Sequence, residues 1–169
     1  MDSETLDALV AWIGAHPVAA GLVIFLVAFC DAVVILGFAV PAAPILFAVG
    51  TLVGLGTLDP TYTVLSAAAG AFCGDGISYV FGRHYGERLR NLWPFSRHPE
   101  WISQGESFFR KHGVKGIVIA RYVGAVRPLV PAIAGMLRMR VLRYALPSAF
   151  ASVTWALIFI APGWLFGTS

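Results

Sequence analysis

The chain has 169 residues, 58% of them hydrophobic and only 12% charged, with a formal net charge of +3. Soluble chains carry about a quarter charged residues, so this composition excludes an ordinary soluble domain and points to a membrane protein. All the basic residues fall between Arg83 and Arg143, threaded through apolar sequence, so no continuous basic face is available and no nucleic-acid partner is expected.

Charge-free runs set the layout. Residues 1–16 are expected to form an interfacial helix, with Asp2, Glu4 and Asp7 near its start, where the helix dipole favours negative charge. The segment lacks the basic leader of a secretory signal, so the apolar run that follows is expected to be retained. Residues 17–30 then form a first span. Residues 32–58 are long enough to cross a bilayer, but Pro41 and Pro44 interrupt them, and Gly50, Gly54 and Gly56 follow. Freed backbone groups at membrane depth must be satisfied by protein or water. A re-entrant hairpin, broken at Pro41 and Pro44, is therefore preferred to one kinked spanning helix.

A second span is predicted over 60–82, followed by a cytoplasmic or interfacial segment at 83–115. That segment mixes charges with Trp93, Phe95, Trp101, Phe108 and Phe109, as suits headgroup level. Residues 116–137 are apolar except for Arg121 and Arg127, and contain Pro128 and Pro131. Basic clusters lie on both sides of this run. A crossing would strand one of them outside, whereas a hairpin keeps both in the cytoplasm, as the positive-inside tendency requires. A second re-entrant hairpin is therefore predicted over 116–137, broken at Pro128 and Pro131. A final span over 144–167 contains Pro147 and Pro162 near its ends. The two broken segments share a P-x-x-P motif followed by a glycine (Gly50, Gly135). Entered from opposite faces, they would form an inverted pair, the arrangement in which many transporters place their substrate site.

Charges inside membrane segments are costly and are functional candidates by default. Four qualify: Asp31, Asp75, Arg121 and Arg127. The acids are candidates for proton coupling or for ion pairing; Asp31 would otherwise mark a helix end and Asp75 a structural pair. Arginine stays charged and grips phosphate with two parallel hydrogen bonds. Arg121 and Arg127 are thus candidates for holding a phosphate, or for pairing with the acids. Arg138, Arg140 and Arg143 are expected to anchor the chain to anionic lipid. Cys30 and Cys73 lie in apolar runs, where a free cysteine is usually a small buried hydrophobe. His16, His84, His98 and His112 lie at the predicted interfaces without metal-ligand spacing, so neither metal nor cofactor is expected.

Several motifs resemble the DedA family of membrane proteins, which share the VTT domain. They are F-C-D (Phe29 to Asp31), P-A-A-P-I-L-F-A-V-G (Pro41 to Gly50) and G-D-G-I-S-Y-V-F-G-R-H-Y-G (Gly74 to Gly86). F-F-R-K-H-G (Phe108 to Gly113) follows, and then the most specific block, A-R-Y-V-G-A-V-R-P-L-V-P-A-I-A-G-M-L-R-M-R (Ala120 to Arg140). The resemblance implies a polytopic protein of the bacterial inner membrane with two re-entrant hairpins in inverted arrangement. It also implies traffic in lipid phosphates: bacterial members are associated with recycling undecaprenyl phosphate and with proton-dependent phenotypes, and eukaryotic relatives scramble phospholipids. By motif, Asp31 takes the place of an essential acid, and Arg121 and Arg127 those of two essential arginines. Many members carry a second acid just after the first proline, where this chain has Ala42 and Ala43. The family also commonly continues past the position of Gly167, so a short member or a piece of a longer fusion is expected.

The resulting expectation is an all-α integral membrane protein, spanning helices plus two broken hairpins. Its predicted role is a flippase for undecaprenyl phosphate or an anionic phospholipid, with protons as a candidate coupling ion and self-association left open. A proton- or cation-coupled exporter of small solutes is the alternative, and a non-transporting scaffold the second. No nucleophile-plus-base arrangement is evident, so no enzyme is expected.

Overall fold

The structure, a computed structural model, describes residue 8 and residues 11–34, 36–93, 95–122, 127 and 129–169. Most of the predicted interfacial helix at 1–16, and Pro128, lie outside the described residues. Within them every regular element is a helix, and there are no strands. After helical residues 11–15 come α1 (Pro17–Ala32), a short 3-10 turn (Leu36–Phe38), α2 (Ala42–Gly54) and α3 (Pro60–Arg90). Then follow α4 (Glu100–His112), α5 (Lys115–Arg121), α6 (Leu129–Met136) and α7 (Val141–Gly167).

Local chemistry explains the boundaries. α1 starts at Pro17 and stops where Val33 turns extended. Asp59 caps α3 by accepting the Tyr62 N–H at 2.7 Å, and Pro60 follows at the first helical position, where a missing N–H costs nothing. α4 is amphipathic, with Ile102 and Phe109 buried; Glu100 lies in its first turn and Arg110, Lys111 and His112 in its last, each sign matched to the helix dipole. Glu100 is fully exposed, and its carboxyl is held below the usual range by a backbone hydrogen bond and by His98.

Three sequence expectations are revised. Pro41 is the N-cap of α2 and Pro44 its third residue, and Pro131 is likewise the third residue of α6. N–H groups in a first turn have no partner four residues back, so these prolines start α2 and α6. The stretch 32–58, expected as one hairpin, holds the single α-helix Ala42–Gly54, and α1, expected as a span over 17–30, stands before the break. Second, α3 continues past residue 82 to Arg90, interrupted only at Tyr85 (φ −118°, ψ 21°). Third, Cys30 is half-buried and Cys73 exposed, because Cys73 belongs to the outward stripe of α3 with Ala69 and Ile77, opposite Asp75.

Two helices, α3 and α7, are long and apolar enough to cross a membrane. They form the central posts, and the shorter helices pack on them crosswise: α1 and α6 against α3, α2 and α5 against α7. Small residues set these approaches. A methyl group on Gly50 would collide with the Ile160 carbonyl, and one on Gly163 with the Phe47 carbonyl, so α2 and α7 touch backbone to backbone. Gly82 and Gly135 do the same for α3 and α6. Such contacts are the usual glue between helices in lipid, where apolar burial alone favours nothing. Outside, Leu22, Leu65, Leu142, Leu146, Phe150 and Leu165 are exposed, an apolar exterior that water would not tolerate.

Candidate functional site

The four intramembrane charges come together between the two posts, as two ion pairs. Asp31 occupies the last turn of α1, and Asp75 the middle of α3. Arg121 ends α5, and Arg127 lies between α5 and α6. Arg121 Nη1 donates to Asp75 Oδ2, and Arg127 Nη2 contacts Asp31 Oδ2. The second contact, like the first, is a close pairing of opposite charges.

Each charge has further support. Ser148 Oγ of α7 donates to Asp75 Oδ2 at 3.2 Å, and the Tyr144 hydroxyl donates to the Asp75 carbonyl at 3.3 Å. Both guanidinium groups lie over the ring of Trp155, Arg127 Cζ at 4.1 Å and Arg121 Cζ at 5.5 Å from its centroid. Cations are attracted to such a face, most strongly away from water. Ser78 secures the end of α1, accepting the Val34 N–H at 3.0 Å and donating to the Ala32 carbonyl at 3.2 Å. That contact closes the chain just beyond Asp31 and fixes where its carboxylate points.

Donor capacity remains. The Nε atoms of both arginines and Nη2 of Arg121 are buried without hydrogen-bond partners among the described residues. Buried polar groups are nearly always satisfied, so an anion with several acceptor oxygens matches what these groups lack. The space between them is small, about 10 Å³, lined by Asp75, Arg121, Arg127, Pro131 and Tyr144. That is about the room of one water-sized sphere, so a phosphate can enter only if a carboxylate withdraws or the helices part. No group of three or more metal-ligating side chains occurs among the described residues.

Sequence reasoning named all four charges but missed Trp155, Ser148, Tyr144 and Ser78. A signal existed for Trp155, since tryptophan in a membrane span normally sits at the interface and this one lies mid-helix. Ser148 and Ser152, one turn apart in an otherwise apolar helix, were a weaker hint.

Comparison with known proteins decides the family. The VTT domain matches residues 40–165, which include Asp75, Arg121, Arg127 and Trp155; Asp31 lies before them. The protein DedA of Escherichia coli strain K12 is 32% identical over 151 residues, covering 86% of this chain and 68% of its own length. The chain belongs to the DedA family. Among other DedA-type relatives, the inner membrane protein YabI of the same strain is 29% identical over 149 residues, 88% of this chain and 58% of its own. An uncharacterized membrane protein of Buchnera aphidicola subsp. Acyrthosiphon pisum is 28% identical over 142 residues, 84% of this chain and 56% of its own. The chain thus spans little more than half the length of several curated relatives. No solved structure matches it. This DedA-family chain is accordingly a membrane protein, consistent with its apolar exterior and two membrane-length helices.

Proposed function

We propose that this chain is a multi-pass protein of the bacterial inner membrane that moves a lipid phosphate, undecaprenyl phosphate or an anionic phospholipid, between leaflets. Arg121 and Arg127 would hold the phosphate while its tails remain in the bilayer. The observation that carries the reading is the pair of buried guanidinium groups with unused N–H donors.

Topology supports it. α1 and α2 have 16 and 13 residues, and α5 and α6 only 7 and 8. At 1.5 Å per residue, α5 and α6 each cover roughly 10–12 Å of a hydrocarbon core about 30 Å thick. Limbs of that length favour entry and return over crossing. The crosswise packing favours the inverted arrangement, because α1 and α2 lean on α3 then α7, and α5 and α6 on α7 then α3.

Charge balance suggests how protons would take part. With both acids ionised, two guanidinium groups and two carboxylates sum to zero. A phosphate added to that set brings uncompensated negative charge into a poorly solvated site, which is unfavourable. Protonation of Asp31 frees Arg127 and leaves a positive charge for the phosphate to balance. The proton then shifts the equilibrium because the two forms of the site differ in affinity for the anion. Asp75 is the other buried acid available, since Ala42, at one of the positions where many relatives carry an acid, is apolar and buried.

The test is transfer of a fluorescent lipid phosphate between leaflets of proteoliposomes. Arg127→Ala is expected to reduce transfer about a hundredfold and Asp31→Asn to abolish its dependence on pH. Undiminished transfer by Arg127→Ala would overturn the reading. Proton flux driven by a soluble solute, with no response to lipid phosphate, would establish the small-solute exporter instead.

A further inference from the structure

A second cavity lies at the basic end of the molecule, and none of the four paired charges lines it. It measures about 920 Å³ and opens between the end of α3 and the turn from α6 to α7. Arg83, Arg88, Arg90 and Arg138 line it, with Glu87 the one acid on its wall. We propose that this cleft binds the phosphate of an anionic lipid headgroup, independently of whether the buried arginines move a lipid.

Its construction carries the inference. The turn after α6 is a Schellman cap: the Met139 N–H reaches the Ala134 carbonyl at 3.2 Å and the Arg138 N–H the Gly135 carbonyl at 2.9 Å. The residue at the left-handed position of such a cap is usually glycine. Here it is Arg138, with φ +52°, the one non-glycine residue at positive φ among those described. A long side chain there carries a backbone cost that glycine avoids, and such departures cluster at ligand sites.

The same turn is pinned from α3. The Met139 carbonyl accepts from the Tyr79 hydroxyl and, at 3.0 Å, from Arg83 Nη1. The interruption of α3 at Tyr85 lies on the opposite wall. Arg83 is therefore held in place by protein, and Arg90 is engaged by Glu106 at 3.6 Å. Arg88 and Arg138 have no partner among the described residues and are exposed. Two free guanidinium groups lining one cleft with a pinned third supply a receptor for a phosphate, which arginine binds bidentately.

Position selects a lipid over a soluble anion. The cleft lies where the apolar length of α3 ends. Phe81 and Tyr85 on α3, and Val141 and Leu142 on α7, are large and exposed beside it. A headgroup seated among the arginines would lay its acyl chains along those side chains. A soluble phosphate would gain nothing from them.

The experiment is titration of the full chain in detergent micelles with dioleoyl phosphatidic acid, read by native mass spectrometry, with glycerol 1-phosphate as the soluble arm. Arg138→Gly suits the turn's geometry, so its melting temperature should hold or rise while lipid affinity falls about tenfold or more. Arg88→Gln should weaken binding similarly, and Arg110→Gln, on α4 outside the cleft, should not. Arg138→Gly should lower affinity by the same factor in an Arg127→Ala background, which separates the cleft from the transport reading. Wild-type affinity in Arg138→Gly, or equal losses in Arg110→Gln, would overturn the proposal. Full competition by glycerol 1-phosphate at matched concentration would overturn the lipid assignment.

Discussion

Asp75 and Arg121 meet on two regular helices, with side chains 4% and 5% exposed. Asp31 and Arg127 meet at the last turn of one helix and between two others, at 8% and 14%. The first pair has Ser148 and the Tyr144 hydroxyl around it. The second has the face of Trp155, which lies nearer to Arg127 than to Arg121. Both bring a buried acid to a buried base, and the second pair is the more exposed of the two. On the proposed function, Asp75–Arg121 would hold the two halves of the molecule together and Asp31–Arg127 would be the pair that opens.

The strongest test of that division is removal of each acid in turn. Asp75→Ala strands Arg121 in the interior, and breaking a buried pair by deleting one partner costs about 3–5 kcal/mol. Asp31→Ala leaves Arg127 closer to the surface and over an aromatic ring, so a loss of about 1–2 kcal/mol is expected. Reversible unfolding in detergent or bicelles measures both. Equal losses would erase the distinction between the pairs. Replacing Asp75 and Arg121 together by Asn and Met should recover much of the stability, since uncharged groups of similar size often tolerate such sites.

Much of this site was legible in the sequence, and the reason is energetic. A charge in an apolar segment stands out because lipid penalises it, so Asp31, Asp75, Arg121 and Arg127 could be named from the chain alone. Their pairing could not be read, because it depends on which short helix leans on which post. Glycine spacing does not supply it: Gly82 marks a close approach and Gly50 and Gly163 pack just as tightly, but glycines are too common here for spacing to single them out. The prolines were visible and misjudged: Pro41, Pro44 and Pro131 start helices, a role that differs from breaking one only in which side of the proline is helical. Trp155 was hidden for a different reason. An aromatic residue in a membrane helix reads as lipid-facing or core until the cations above its ring are placed.

A double-mutant cycle on Trp155 sharpens the comparison at intermediate size. Arg127 Cζ lies closer to the ring centroid than Arg121 Cζ, 4.1 against 5.5 Å. Trp155→Leu combined with Arg127→Met is expected to show a coupling of about 1–2 kcal/mol, and with Arg121→Met less than about 1 kcal/mol. The cycle matters because Trp155 is buried, so the single substitution also loses packing that has nothing to do with charge. If the ring couples more strongly to Arg121, it belongs to the rigid pair, and Arg127 would lack the support that lets it wait for a ligand.

The smallest effect is the most discriminating. Ser148→Ala removes one hydroxyl that donates to Asp75 Oδ2 at 3.2 Å and leaves Asp31 and Arg127 untouched. The carboxylate keeps Arg121, so the loss should be about 1 kcal/mol, with lipid-phosphate transfer unchanged in rate and in pH dependence. A hydroxyl that only braces a permanent ion pair can affect stability alone. If Asp75 instead exchanged Arg121 for the substrate, Ser148 would stabilise the released carboxylate, and its removal would shift the pH dependence of transfer. Transfer measured across pH for Ser148→Ala and wild type therefore decides whether one pair opens in the cycle or both do, a question the larger substitutions cannot answer because they disturb the fold as well.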